Sequence, residues 1–140
     1  MSAGYSGTPL PKKLGITGDA VFTVLHAPSG FEATLGDVGE AVRQQHLALP
    51  VDVVVTFHTT RAALVAEWPK LTAAAEPDGA IWVCWPKKTS GVASEITEDV
   101  LRAELLRTGW VDNKVCAVDD TWSALRFVQR KEHRRGSKRR

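Results

Sequence analysis

The chain has 140 residues, 44% of them hydrophobic and 24% charged, with a formal net charge of +2. That length suits one domain with a single core, and nothing in the composition points to a disordered or fibrous protein. No stretch approaches the ~20 apolar residues of a membrane span, and Met1 to Leu14 carries no apolar run of the secretion-signal kind, so a cytoplasmic protein without membrane contact is expected.

Met1 to Gly18 is rich in Gly, Pro, Ser and Thr, and Pro9 and Pro11 forbid a regular helix there. Leu10, Leu14 and Ile16 suggest that this irregular segment packs on the body. Ala20 to Ala27 reads as a strand through the β-formers Val21, Phe22, Val24 and Leu25, ended by Pro28-Ser29-Gly30. Asp37 to Leu49, with Val38, Val42 and Leu49 between polar residues, is predicted as a helix. Val51 to Phe57 is the second strand, and Val53-Val54-Val55 is too apolar for a half-exposed one.

Thr59 or Thr60 caps the next helix, whose face carries Leu64, Trp68 and Leu71. Pro69 is expected to kink or split it. After the turn Pro77-Asp78-Gly79 comes the fully apolar strand Ala80 to Trp85, which empties into Pro86-Lys87-Lys88-Thr89-Ser90-Gly91. Thr97 is a good N-cap, Glu98 and Asp99 suit a helix start, and Gly109 ends that helix. Ile96 and Leu101 hold the two positions of a hydrophobic staple. Val111 to Val118 and Trp122 to Val128 are strands separated by Asp119-Asp120-Thr121 only, so they form an antiparallel hairpin.

Alternating strands and helices that end in a hairpin predict an α/β fold: a truncated Rossmann-like, mostly parallel sheet over residues 19–130. Residues 131–140 would be a disordered basic tail. Arg130 to Arg140 holds seven of the eighteen basic residues against one Glu, whereas Met1 to Gln129 has a net charge of −4. Such a tail could neutralise nucleic-acid phosphates in a sequence-blind way, although the acidic body opposes this. Cys84 and Cys116 lie in apolar strand patterns and read as buried free thiols. Their spacing, with no neighbouring His, argues against a zinc site.

In such a sheet the carboxyl ends of the strands share one rim, the edge where open α/β sheets bind ligands. Four groups collect there: His26 and Ser29; His58, Thr59 and Arg61; Trp85, Lys87, Lys88, Thr89 and Ser90; and Asp119, Asp120 and Trp122. Lys87, Lys88, Thr89, Ser90, Asp119, Trp122 and His58 are the candidate ligand-binding residues. The lysines supply positive charge for a phosphate or carboxylate, and Thr89 and Ser90 supply hydroxyl donors. The same loop also reads as a solvated one whose lysines pair with the hairpin aspartates. His58 is the one candidate general base, but a lone His at a strand end is more often structural. No nucleophile elbow is present, and the reading leans away from an enzyme.

The strand–helix–hairpin ending, from Val51 to Arg130, resembles the C-terminal half of class I S-adenosylmethionine-dependent methyltransferases. The turn His26-Ala27-Pro28-Ser29-Gly30-Phe31 is not their glycine-rich cofactor turn. The unit whose strand ends in an acid for the ribose is missing or shrunken, and Thr56-Phe57-His58-Thr59 departs from Asp/Asn-Pro-Pro-Tyr. No cofactor is therefore expected. The segments Gly4-Tyr5-Ser6-Gly7-Thr8-Pro9-Leu10 with Lys12-Lys13-Leu14-Gly15-Ile16, Trp85 to Gly91, and Lys114 to Ser123 are together similar to a small, chiefly actinobacterial family of unknown function. These residues lead to a small protein binding an anionic molecule or partner at its carboxyl rim. A divergent methyltransferase-like enzyme and a nucleic-acid-associated protein acting through its tail are the alternatives.

Overall fold

The computed structural model describes residues 7–48, 50–75 and 77–131. All but Lys131 of the basic tail lies outside the described residues, as do Gly4 to Ser6. The elements are α1 (Leu10–Leu14), β1 (Val21–Leu25), α2 (Phe31–Leu35), β2 (Val42–Gln44), β3 (Val53–Phe57), α3 (Arg61–Ala75), β4 (Ala80–Pro86), α4 (Glu98–Leu105), β5 (Trp110–Ala117) and β6 (Trp122–Gln129). The strands form one six-stranded sheet in the order β2-β1-β3-β4-β6-β5. The first four run parallel, β6 is antiparallel to β4, and β5 is antiparallel to β6. This is the mostly parallel α/β sheet with a terminal hairpin that the sequence predicts.

Burial explains the centre of the sheet. Every residue of β3 and β4 is buried, because both faces of the sheet are covered. On one face Val54, Ile81, Val83, Leu125 and Phe127 pack against Leu64, Trp68 and Leu71 of α3 and Leu101 and Leu105 of α4. On the other Phe22, Val55, Trp82 and Ala124 pack against Leu10, Leu14, Phe31 and Leu35 of α1 and α2. Each fully buried side chain of this size contributes about 1.5–3 kcal/mol relative to exposure. The buried Trp indoles find acceptors: Trp82 Nε1 donates to the Leu14 carbonyl at 2.9 Å and Trp68 Nε1 to Thr108 Oγ1 at 3.0 Å. Each bond spares its ring the cost of burying an unpaired N–H.

Caps follow the sequence. Thr60 Oγ1 accepts from the Ala63 N–H at the start of α3, and Thr97 Oγ1 from the Val100 N–H at the start of α4. Ile96 and Leu101 are both buried, as a staple requires. Gly79 is needed for space: a Cβ there would lie 2.5 Å from the Val51 carbonyl oxygen and 2.6 Å from that of Ala75.

Three expectations are corrected. Residues 37–48, the described part of the span expected to be helical, are not a helix. Positive φ at Gly36 (72°) and Gly39 (63°) breaks helical continuity, and Val42–Gln44 pairs with Val21–Thr23 as a short outer strand. The helix of this region is α2, earlier in the chain, between Gly30 and Gly36. Pro9 and Pro11 do not prevent a helix, since α1 begins directly after Pro9. Pro11 falls in its first turn, where the missing N–H would have no intrahelical partner anyway. Finally, Pro69 does not split α3, which runs through it as one element. Its ring is on the exposed side, and packing of Leu64, Trp68 and Leu71 outweighs the lost bond.

The outermost strand β5 changes its register against β6 between Asp112 and Lys114, leaving Asn113 as an extra residue. Asn113 Oδ1 accepts from Arg126 Nη1 at 3.2 Å. Among the described residues no helix is long and apolar enough to cross a membrane.

Candidate functional site

The chain leaves β1 toward β2 on one side and returns to β3 on the other, so the strand order switches between β1 and β3. In open α/β sheets the crevice beyond the carboxyl ends at such a switch is where ligands bind. His26 follows β1 and His58 follows β3, one on each side of this point. Both reach for the same group, Glu67 of α3. His26 Nε2 lies 2.7 Å from Glu67 Oε2, and His58 Nε2 lies 2.8 Å from Glu67 Oε1. Thr56 Oγ1 donates to Glu67 Oε1 at 3.0 Å and lies 3.0 Å from His58 Nε2. The two rings meet edge to face with centroids 5.2 Å apart.

The side-chain exposures grade from inside to outside: 4% for His58, 19% for Glu67 and 52% for His26. Burial works against the charge of Glu67, but the hydrogen bonds from His58 and His26, the positive charge of His26, and the Thr56 hydroxyl outweigh it. Its pKa falls to about 2. An ionised carboxylate cannot donate, so each Nε2 facing it carries the proton. His26 has φ +61°, the left-handed region, which costs a non-glycine residue on the order of 1–2 kcal/mol.

The sequence identified His58 but missed Glu67 and Thr56. A signal for Glu67 was present: it falls three residues after Leu64 and four before Leu71, on the buried stripe of α3. A carboxylate there needs partners.

The other candidates gather at the same edge, beyond β4 and the hairpin. Pro86 pairs with Trp122 across the sheet, and the Lys87 N–H donates to the Thr121 carbonyl at 2.8 Å. Lys87 Nζ donates to the Asp119 carbonyl at 2.9 Å, tying the β4 loop to the hairpin tip. Asp119 Oδ1 accepts from the N–H groups of Thr121 and Trp122, both at 2.8 Å, and so shapes that tip. Ser90 Oγ donates to the Lys87 carbonyl at 2.6 Å and accepts from the Val92 N–H, closing a short 3₁₀ turn over Lys88–Ser90. Lys88 and Thr89 remain exposed, and Trp122 is half-buried with its ring edge-on to Phe57 at 5.1 Å. Burial pushes the Cys84 thiol well above its ordinary pKa, which leaves it inert toward electrophiles at neutral pH.

A groove of about 580 Å³ opens on the α1–α2 face, lined among others by Gly7, Pro9, Lys13, Asp37 and Val118. It borders the hairpin through Val118, but none of the sequence-predicted site residues lines it.

Similar architectures occur among solved methyltransferase structures. A SAM-dependent methyltransferase from Aquifex aeolicus superposes with a TM-score of 0.60 at 13% identity, over 84% of this chain and 86% of that one. The ribosomal protein L11 methylase from Lactobacillus delbrueckii subsp. bulgaricus gives 0.56 at 12%, over 91% and 80%. Magnesium protoporphyrin IX methyltransferase from Synechocystis PCC 6803, a structure with bound SAM, gives 0.55 at 12%, over 86% and 74%. At these identities the likeness is one of fold. The residues here do not fit that cofactor. After β1 stands His26, its ring engaged with Glu67, in place of a glycine-rich turn. Strand β2 ends in the neutral Gln44 where an acid would meet a ribose. No curated protein matches the chain by sequence. A family profile does match, over residues 57–139, and the chain belongs to that family, described as a domain of unknown function (DUF8412).

Proposed function

We propose that this protein binds an anionic small molecule along the carboxyl rim of its sheet. Lys87 and Lys88 provide the charge and Thr89 a hydroxyl, while the half-buried Trp122 forms an apolar wall. Ser90 and Asp119 serve by holding the loop and the hairpin tip in shape. The observation that carries this reading is the bond from Lys87 Nζ to the Asp119 carbonyl. It immobilises a cation at the rim through an uncharged acceptor, so the positive charge is not neutralised by its own anchor.

Thermal-shift measurements with inorganic phosphate, a nucleoside monophosphate and a dicarboxylate test it. At least one class should stabilise the native chain, and Lys88→Ala, which trims an exposed side chain, should weaken that response about tenfold or more in apparent affinity. No response to any class, or an identical response from Lys88→Ala, removes the site.

S-adenosylmethionine is the ligand that the fold suggests first, since the chain superposes on the methyltransferases above. The residues following β1 argue against it. Calorimetry decides: heat of binding at micromolar to millimolar cofactor would restore the methyltransferase reading.

A further inference from the structure

We propose that His26, His58 and Glu67 form a binding site for a divalent transition-metal ion of the zinc type. Nothing in the anion-binding reading requires it, and of the candidate ligand-binding residues of that reading it uses only His58. The ligand atoms of the three side chains all lie within 4.8 Å of one another. Two imidazoles and one carboxylate are the donor set of many zinc sites that keep an open position. A tetrahedral ion with bonds of 2.0–2.1 Å needs ligand atoms about 3.3 Å apart, roughly half an ångström more than the 2.7 Å from His26 Nε2 to Glu67 Oε2 or the 2.8 Å from His58 Nε2 to Oε1, the two contacts being to different oxygens of the one carboxylate.

Further features point the same way. Both rings aim Nε2, not backbone-facing edges, at one carboxylate, and the ion would replace the two protons that converge there, as metal binding to imidazole requires. Thr56 Oγ1 donates to Glu67, the kind of supporting hydrogen bond that orients a ligating carboxylate. The backbone of His26 is held at φ +61°, a conformation that persists in a non-glycine residue when its side chain is needed where it is. Half of the His26 side chain is open to solvent, which gives an ion a path in and a face for water or a ligand. Without an ion the three groups still satisfy one another, so the site can exist empty and folded.

The test uses the full chain, freed of metal with a chelator, and titrates Co²⁺ by its visible absorption and Zn²⁺ by competition. One equivalent should bind. His26→Gly removes a ligand while relieving the backbone, and Glu67→Gln removes the charge at nearly constant shape; both should lose the stoichiometric site. Thr56→Val should weaken it by about tenfold, and His46→Ala, at an exposed histidine just after β2 and outside the cluster, should change nothing. Because glycine adopts this φ freely, His26→Gly stays folded and informative even if Glu67→Gln does not. Native protein that takes up no stoichiometric Zn²⁺ at micromolar concentration, or His26→Gly that binds as the native chain does, overturns the assignment.

Discussion

Removing the Glu67 carboxylate exposes how the buried cluster is held. In Glu67→Ala, His26 loses its partner, but half of its side chain already meets water and can rehydrate at little cost. Thr56 and His58 are buried and cannot. They lie 3.0 Å apart, however, and can turn to each other. Two hydrogen bonds to a charged acceptor, each worth about 1.5–3 kcal/mol, are thus exchanged for one neutral bond worth about 1 kcal/mol. After discounting the desolvation cost that a half-buried carboxylate no longer bears, the net loss is about 2 kcal/mol. Thr56→Val alone leaves His58 bonded to Glu67 and should cost about 1 kcal/mol. The double variant removes both partners of His58 Nε2 at once, adding the penalty of an unpaired buried donor, so it should exceed the sum of the singles by at least 1 kcal/mol. Urea unfolding followed by circular dichroism measures all three. Equal or smaller cost in the double variant than in the sum would refute the idea that Thr56 and Glu67 back each other up beneath His58.

Other expectations come from particular contacts. Gly79→Ala forces a methyl group against two carbonyl oxygens and should destabilise by about 1–3 kcal/mol in the same urea assay. Cys84 should resist a thiol reagent in the native state and react only on unfolding, which peptide mapping after timed labelling would show. A chain ending at Gln129 should lose any salt-sensitive retention of DNA seen with the full chain in a mobility-shift assay, since seven basic residues lie beyond it.

What the sequence revealed depended on how local its physical signal was. Strands β3 and β4 announced themselves as unbroken apolar runs, and the hairpin followed from three residues between two strands. Strand β2 could not be read, because Val42-Arg43-Gln44 is strand only by virtue of the β1 backbone beside it, and Val42 is about half exposed. The rim was legible as topology: residues after β1, β3 and β4 do share an edge with the hairpin tip. The pairing within it was not. His26 and Glu67 are 41 residues apart, and only the helix placement of α3 against the switch between β1 and β3 brings them together. The loop after β4 shows the opposite limit. Its hydroxyls and lysines were visible as chemistry, but not that Ser90 and the Asp119 carboxylate are spent on shaping their own turns.

The two open margins of the sheet decide how this protein behaves in a crowd. One margin is β2, only three residues long. The other is β5, where the extra residue Asn113, flanked by Asp112 and Lys114, interrupts the ladder. Among the described residues neither offers a long uninterrupted strand onto which a second copy could zip. The seven consecutive buried residues of β4, which would be a hazard for fibril growth if they lay outermost, are enclosed between β3 and β6. Replacement of Asp112-Asn113-Lys114 by hydrophobic residues would therefore be the shortest route to an aggregating chain.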